Sequence, residues 1–294
     1  MTFRRTPSAL LSYHRFLAVD LVVFCEGGQS LTYQEALNDG STDGTLDTLY
    51  WSAVADMLGP WQKSFHFKSV GSKTVLKQIA DEVFERDIKT VSVCRDQDYD
   101  GILNRKHACD RVAYTYGYSW ENDVLDMKVL ENLFTDIAGS GPRQQQILQD
   151  INLELTRFSR QIIRWIEIDV ALHASSRGSI FDRRKPLFCI DLGKPPRLRD
   201  GALESRLVEL GFTRGPRRVC KLRVEESLKI CFGKTISNAI FHCFLAHIRK
   251  IVKGLRIDYD FFMRLATAET IRCAKAGFLP QYTKHINDQA TVFA

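Results

Sequence analysis

Three features of the 294-residue chain predict an α/β fold built on a mostly parallel sheet. The first is Thr90 to Asp100, where a short apolar run stops at Arg95 and acids follow at Asp96, Asp98 and Asp100. Val91, Val93 and Cys94 are the β-branched and small residues of a buried parallel strand, so this strand ends in a carboxylate cluster. The second is Val19 to Gly28, in which the strand-like run Leu21 to Cys25 ends in Glu26 and two glycines let the backbone turn tightly. The third is the strand and helix that lead into Thr90, which complete a β-α-β unit whose crossover is right-handed by rule.

Chemistry in open α/β sheets gathers at the carboxyl ends of the strands. Asp96 and Asp98 point the same way on an extended segment, and their charges repel unless a cation sits between them. The simplest such cation is Mg²⁺, with Mn²⁺ as its substitute, held by one or two carboxylates plus substrate phosphates. A solvated Asp-rich turn is the plainer alternative. Two parallel strands that each end in acid bring Glu26 toward Asp96 and Asp98.

Strand-terminal Glu26-Gly27 followed by strand-terminal Asp96-x-Asp98 resembles the signature of the Toprim fold of topoisomerases, primases and OLD-type nucleases. Neighbouring residues are similar to the DUF4435 branch of that family. The resemblance implies a Toprim catalytic domain over residues 1–140, Rossmann-like, with flanking helices. The family pattern Glu-Gly-x-x-Asp-x-x-Phe-Tyr fails at Ser30 and resumes at Asp47-Thr48-Leu49-Tyr50-Trp51, which makes residues 29–46 an inserted loop rich in Gly, Asp, Ser and Thr. On that alignment Asp47, not Asp39 or Asp43, returns to the site; the other reading of Asp47 is a helix N-cap.

Taken in order, Leu49, Tyr50, Ala53, Val54, Met57 and Leu58 follow helical spacing up to Gly59-Pro60. Phe65 to Val70 is a short strand. Gly71-Ser72-Lys73 opens a helix with Leu76, Ile79, Ala80, Val83 and Phe84 on one face. Lys73 and the amides of that N-terminus suit a phosphate, as the family's Gly-Lys element implies, or form a plain cap with a solvated lysine. Arg111 to Tyr116 reads as another strand. Glu121-Asn122 after it matches a Glu-Asn pair of the DUF4435 branch, and Glu121 is either a further metal-site acid or an acid favoured by a helix N-terminus. Gly139-Ser140-Gly141-Pro142 ends the next helix and marks the expected domain boundary.

Residues 141–294 are expected to form a basic, mainly helical domain. Ile147, Ile151, Leu155, Phe158, Ile162, Trp165 and Asp169 are spaced as one stripe of a long helix, which backs a domain or meets its copy in a dimer. Residues 181–223 read as irregular and basic, with Arg183-Arg184-Lys185, Arg214, Arg217 and Arg218 among the phenylalanines 181, 188 and 212. That composition suits a nucleic-acid cradle, or else solvated loops. Two further helices carry Ile236 to Ile251 and Phe261 to Ile271. Cys243 and His247 stand one helical turn apart, but without a second pair the spacing favours packing over metal ligation.

Composition sets the broad class. With 45% hydrophobic and 26% charged residues the chain buries an ordinary core. Arg4 and Arg5 before Ala9 to Leu11 faintly mimic a signal peptide, but His14, Arg15 and Asp20 interrupt it. No run approaches the roughly 18 apolar residues of a membrane helix. Eight cysteines without a Cys-x-x-Cys pair fit reduced thiols in a cytoplasmic protein. Residues 1–140 carry 14 Lys/Arg against 20 Asp/Glu, a balance of −6, and residues 141–294 carry 27 against 15, a balance of +12. An acidic half that chelates cations is thus joined to a basic half that holds a polyanion, most economically nucleic acid.

A metal on Asp96 and Asp98 neutralises charge on a phosphodiester, and Glu26 either completes the metal site or acts as general acid or base. In Toprim families this glutamate has the acid/base role, which the resemblance carries onto Glu26. It further implies a metal-dependent nuclease, the toxic effector of an anti-phage system, held inactive by a companion AriA-like ABC ATPase until a phage trigger protein is sensed. On release it dimerises and cleaves host tRNA. The chain has no Walker-type phosphate loop, so ATP dependence belongs to the partner. A DNA endonuclease of the OLD kind and a non-catalytic adaptor that binds the ATPase are the alternatives, and an acidic metal site alone does not choose between RNA and DNA.

Overall fold

The computed structural model describes residues 9–37, 44–106, 109–193, 195–213 and 215–294. Arg4, Arg5, Asp39, Asp43 and Arg214 lie outside the described residues. In chain order the elements are α1 (Ala9–Phe16), β1 (Leu21–Cys25), α2 (Tyr33–Leu37), α3 (Leu46–Leu58), β2 (Phe65–Ser69), α4 (Lys73–Glu85), β3 (Val91–Arg95) and β4 (Val112–Tyr114). They continue as α5 (Trp120–Asp123), α6 (Met127–Ala138), α7 (Pro142–Ala174), β5 (Ile190–Asp191), β6 (Arg197–Leu198), α8 (Asp200–Glu209), α9 (Ser227–Ile230), α10 (Gly233–Ile248), α11 (Tyr259–Lys275) and α12 (Pro280–Asn287).

The chain divides into two compact units. One comprises residues up to Gln97, then Lys106–Tyr116 and Ile271–Ala294; the other comprises Asp98–Arg105 and Gly117–Thr270. This differs from a linear boundary near residue 140. Gly139 to Pro142 is a corner inside the second unit, between α6 and α7. The C-terminal residues, expected in the helical half, fold into the first unit. Ser92 Oγ donates to the Val292 carbonyl at 2.7 Å, and Tyr114 N donates to Gln289 Oε1 at 2.7 Å. Such returns of the chain depend on contacts far apart in sequence, which local patterning does not register.

The first unit is built on a parallel four-stranded sheet of order β2-β1-β3-β4. Its α/β character agrees with the sequence reading. Cys25 is level with Cys94 on one side and with Ser69 on the other, so β1, β2 and β3 finish together. From β1 the chain passes to β2 on one side, and from β3 to β4 on the other. The ends of β1 and β3 are therefore the switch point at which such sheets open a crevice.

One face of the sheet presents Val22, Phe24, Val91 and Val93 to a core with Leu10 and Tyr13 of α1 and with Val75, Leu76, Ile79, Ala80 and Val83 of α4. Alternation along the strands turns Cys25, Ser92 and Cys94 to the opposite face. The expected loop 29–46 contains α2, whose Ala36 and Leu37 are buried in the same core. Sequence reading missed it because five residues give too little periodicity to separate from loop.

The second unit is mainly helical. Its 33-residue α7 buries Ile147, Ile151, Leu155, Phe158, Ile162 and Trp165, the expected stripe, and packs against α10. The span expected to be irregular contains the antiparallel β5–β6 pair and α8.

Candidate functional site

In the first unit, Glu26 follows β1 and Asp96 follows β3, both immediately past the switch point. Asp47 lies in the first turn of α3 and is not its cap. That position belongs to Thr45, whose side-chain oxygen accepts from Thr48 N. Asp47 instead lies against Gly27. A β-carbon built on Gly27 would stand 2.2 Å from Asp47 Cγ and Oδ2, and Gly27 has φ +148°. Only glycine accommodates both this backbone and this approach. The structure thus brings Asp47 beside the Glu26-Gly27 turn.

Electrostatics supply a second measure of the crowding. The Cys25 thiol is pushed well above its ordinary pKa, first by burial, then by the adjacent Cys94, and further by the negative charges of Asp47 and Asp96. Both acids are thus near the end of β1. Glu26, Asp47 and Asp96 are each half-buried, and Glu26 Oε2 is itself buried. All three are oxygen donors, but among the described residues the one set of three such side chains whose ligand atoms all lie within 4.8 Å of one another is Glu154, Cys243 and His247. Sequence reading did not single out the Cys25–Cys94 pair. The signal was present, since each cysteine is the last or next-to-last residue of its strand.

Lys73 begins α4, with Ser72 as N-cap accepting from Val75 N. The segment after β1 crosses this turn, Leu31 N donating to the Val70 carbonyl at 3.0 Å and Ser30 Oγ to the Gly71 carbonyl at 2.8 Å.

Asp98, Asp100 and Glu121 belong to the second unit. Asp98 is buried at φ +47°, its amide donating to the Tyr118 carbonyl at 2.7 Å. Arg183 Nη2 lies 3.6 Å from Asp98 Oδ1, so the first arginine of the expected cradle faces a buried acid. Glu121 accepts from Ser119 Oγ at 2.5 Å. Gly233, the first residue of α10, lets this pair approach: a β-carbon there would stand 1.9 Å from Ser119 Oγ and 2.8 Å from Glu121 Oε2. Glu121 thus lies in the first turn of α5, with its carboxylate beside the first residue of α10. Burial raises its pKa, against the pull of Ser119 and Lys234, and Asp98 raises it further. Asn122 makes the capping box with Ser119 and donates to the carbonyls of Leu228 and Cys231.

Arg184, Lys185 and Arg217 are exposed. Arg218 Nη1 reaches Glu167 Oε2 of α7 at 2.8 Å. Asp169, assigned to the helical stripe, is fully buried and accepts from Tyr99 Oη, Ser179 Oγ and Ile180 N at 2.8, 2.8 and 2.6 Å. A second set of metal-ligand side chains, Glu154, Cys243 and His247, gathers between α7 and α10. The Cys243–His247 spacing was visible in sequence; Glu154, on another helix, was not. No helix among the described residues is long and apolar enough to cross a membrane. Comparison with protein-family models and with curated proteins finds no match.

Proposed function

We propose that the chain is a divalent-metal-dependent nuclease of the Toprim kind, resembling the DUF4435 branch and most nearly AriB, the effector of the PARIS anti-phage system. The observation that supports this reading is that Glu26 and Asp96 follow the adjacent strands β1 and β3 at the switch point, with Asp47 packed on Gly27 and both Asp47 and Asp96 acting on the Cys25 thiol. A purely binding scaffold gains nothing from crowding acids there, because like charges at close range cost stability unless a cation offsets them. Glu26, Asp47 and Asp96 would hold Mg²⁺ or Mn²⁺. When bound, the ion neutralises charge on a phosphodiester and on its leaving oxygen.

The chain's own groups do the rest. In this reading Glu26, half-buried and flanked by a glycine turn, takes or returns a proton at the scissile oxygen. Asp47 is held by its packing on Gly27, and Asp96 by its position immediately after the buried β3. Exposed Arg184, Lys185 and Arg217 offer phosphate contacts to a polyanion, for which host tRNA is the proposed substrate. Control by an AriA-like ABC ATPase that answers to a phage trigger, with dimerisation of the released nuclease, completes the proposal.

The test is expression in a bacterial host, alone and with the ATPase and trigger, as wild type and Glu26→Ala, with the 5′ and 3′ ends of small RNAs sequenced. Discrete tRNA cuts that depend on Glu26 support the proposal. Intact RNA with Glu26-dependent DNA breaks replaces it with an OLD-like DNA endonuclease, and toxicity indifferent to Glu26→Ala with both polymers intact replaces it with an adaptor.

A further inference from the structure

The Glu154, Cys243 and His247 cluster lies within the second unit and has no part in the proposed nuclease chemistry. Cys243 and His247 are four residues apart on α10 and so share one face. From α7, Glu154 Oε2 lies 2.9 Å from His247 Nε2 and accepts from Cys243 Sγ at 3.4 Å. The three donor atoms all fall within 4.8 Å of one another. Cys243 is fully buried and the His247 side chain is 4% exposed, whereas that of Glu154 is 18% exposed and leaves an opening to solvent.

We propose that this triad is a zinc site, with Glu154 Oε2, Cys243 Sγ and His247 Nε2 as protein ligands and a water in the fourth position. The donor set is one thiolate, one imidazole and one carboxylate, the mixture that suits borderline-soft Zn²⁺ and not the hard cation of the acidic site. The geometry is close to what the ion requires. With metal–ligand bonds of about 2.0–2.3 Å, the donor-to-donor edges of a tetrahedron are about 3.4–3.6 Å. The sulfur–oxygen edge already has that length, and the nitrogen–oxygen edge has to open by about half an ångström.

Without metal the three groups form a hydrogen-bonded triad in which burial and the Glu154 charge hold the Cys243 thiol far above its ordinary pKa. A thiol binds the ion only as its thiolate, so loading releases the thiol proton and affinity rises with pH. Lys250 Nζ lies 3.1 Å from His247 Nδ1. Lys250 is exposed, and metal loading requires it to release Nδ1, which then carries the imidazole proton while Nε2 binds the ion.

The test is titration of the metal-stripped full chain with Co²⁺, a spectroscopic substitute for Zn²⁺. One equivalent should produce a near-ultraviolet thiolate-to-cobalt band and tetrahedral visible bands, both bleached by Zn²⁺, with affinity rising about tenfold per pH unit for the one proton released. Cys243→Ser should abolish the thiolate band, and Glu26→Gln should retain it. Absence of a thiolate band in the wild-type protein, or its survival in Cys243→Ser, overturns the proposal. Should that variant fail to fold, the wild-type titration decides alone, since an affinity independent of pH excludes the thiolate ligand.

Discussion

The carboxylate of Asp47 rests on the α-carbon of Gly27, leaving no room for a β-carbon between them. One contact thus ties the start of α3 to the turn that follows Glu26. It brings an acid seventeen residues beyond Ser30, where the Glu-Gly-x-x-Asp pattern expects one, to the end of β1.

Gly27→Ala should move Asp47 and strain the backbone while leaving every acid in the sequence. Cleavage is expected to fall at least tenfold and stability by about 1–3 kcal/mol. Parallel activity and thermal-melting measurements check this, and a fully active Gly27→Ala would show that the position of Asp47 is immaterial.

Among the acids, Glu26→Gln and Asp96→Asn should each slow cleavage by about 10²–10⁴-fold, the range for loss of a positioned acid or base. Removing one of several crowded charges should leave the metal-free protein as stable as wild type or slightly more so. Melting curves with and without Mg²⁺ read both effects, because the stabilisation by Mg²⁺ should shrink in each variant.

Glu121 provides a test in pH. Its pKa is raised in the folded protein by burial, so between its unfolded value of about 4.3 and that raised value the native state binds more protons than the unfolded one. Stability from this group is therefore greatest below that window and is lost as pH rises through it. Glu121→Gln should remove that part of the slope in melting temperature as pH rises above about 4.3. Identical slopes in the two proteins would refute the assignment.

The neighbours Arg217 and Arg218 should separate. Arg218 answers the buried Glu167, so Arg218→Ala is expected to cost about 1–2 kcal/mol, an amount discounted for the exposure of the arginine. Arg217→Ala should leave stability unchanged and weaken tRNA binding, with a shallower salt dependence. Melting and filter-binding measurements on the two variants distinguish these roles.

The elements that carry the acids were legible because their signals are local. β1 and β3 end where apolar runs meet Glu26 and Arg95, and α3 spans the helical spacing before Gly59-Pro60. What escaped depends on contacts across the chain. No pattern near Arg183 or Arg218 announces the buried Asp98 and Glu167 that they meet. Nor does anything near Val292 or Gln289 announce their attachment to β3 and β4. Asp169 was mistaken for one more step of an amphipathic stripe, because periodicity records that a position is buried and not that Tyr99, Ser179 and Ile180 satisfy its carboxylate there.

The most direct test of the central claim is Mn²⁺ binding followed by electron paramagnetic resonance on the full chain in a Cys243→Ser background, which removes the thiolate of the second cluster. The account predicts bound Mn²⁺ that Mg²⁺ displaces, and at least a tenfold loss of affinity in Glu26→Gln and in Asp96→Asn. Equal Mn²⁺ affinity in the parent and in both variants would contradict it, and the acids at the ends of β1 and β3 would then have to be explained without a metal.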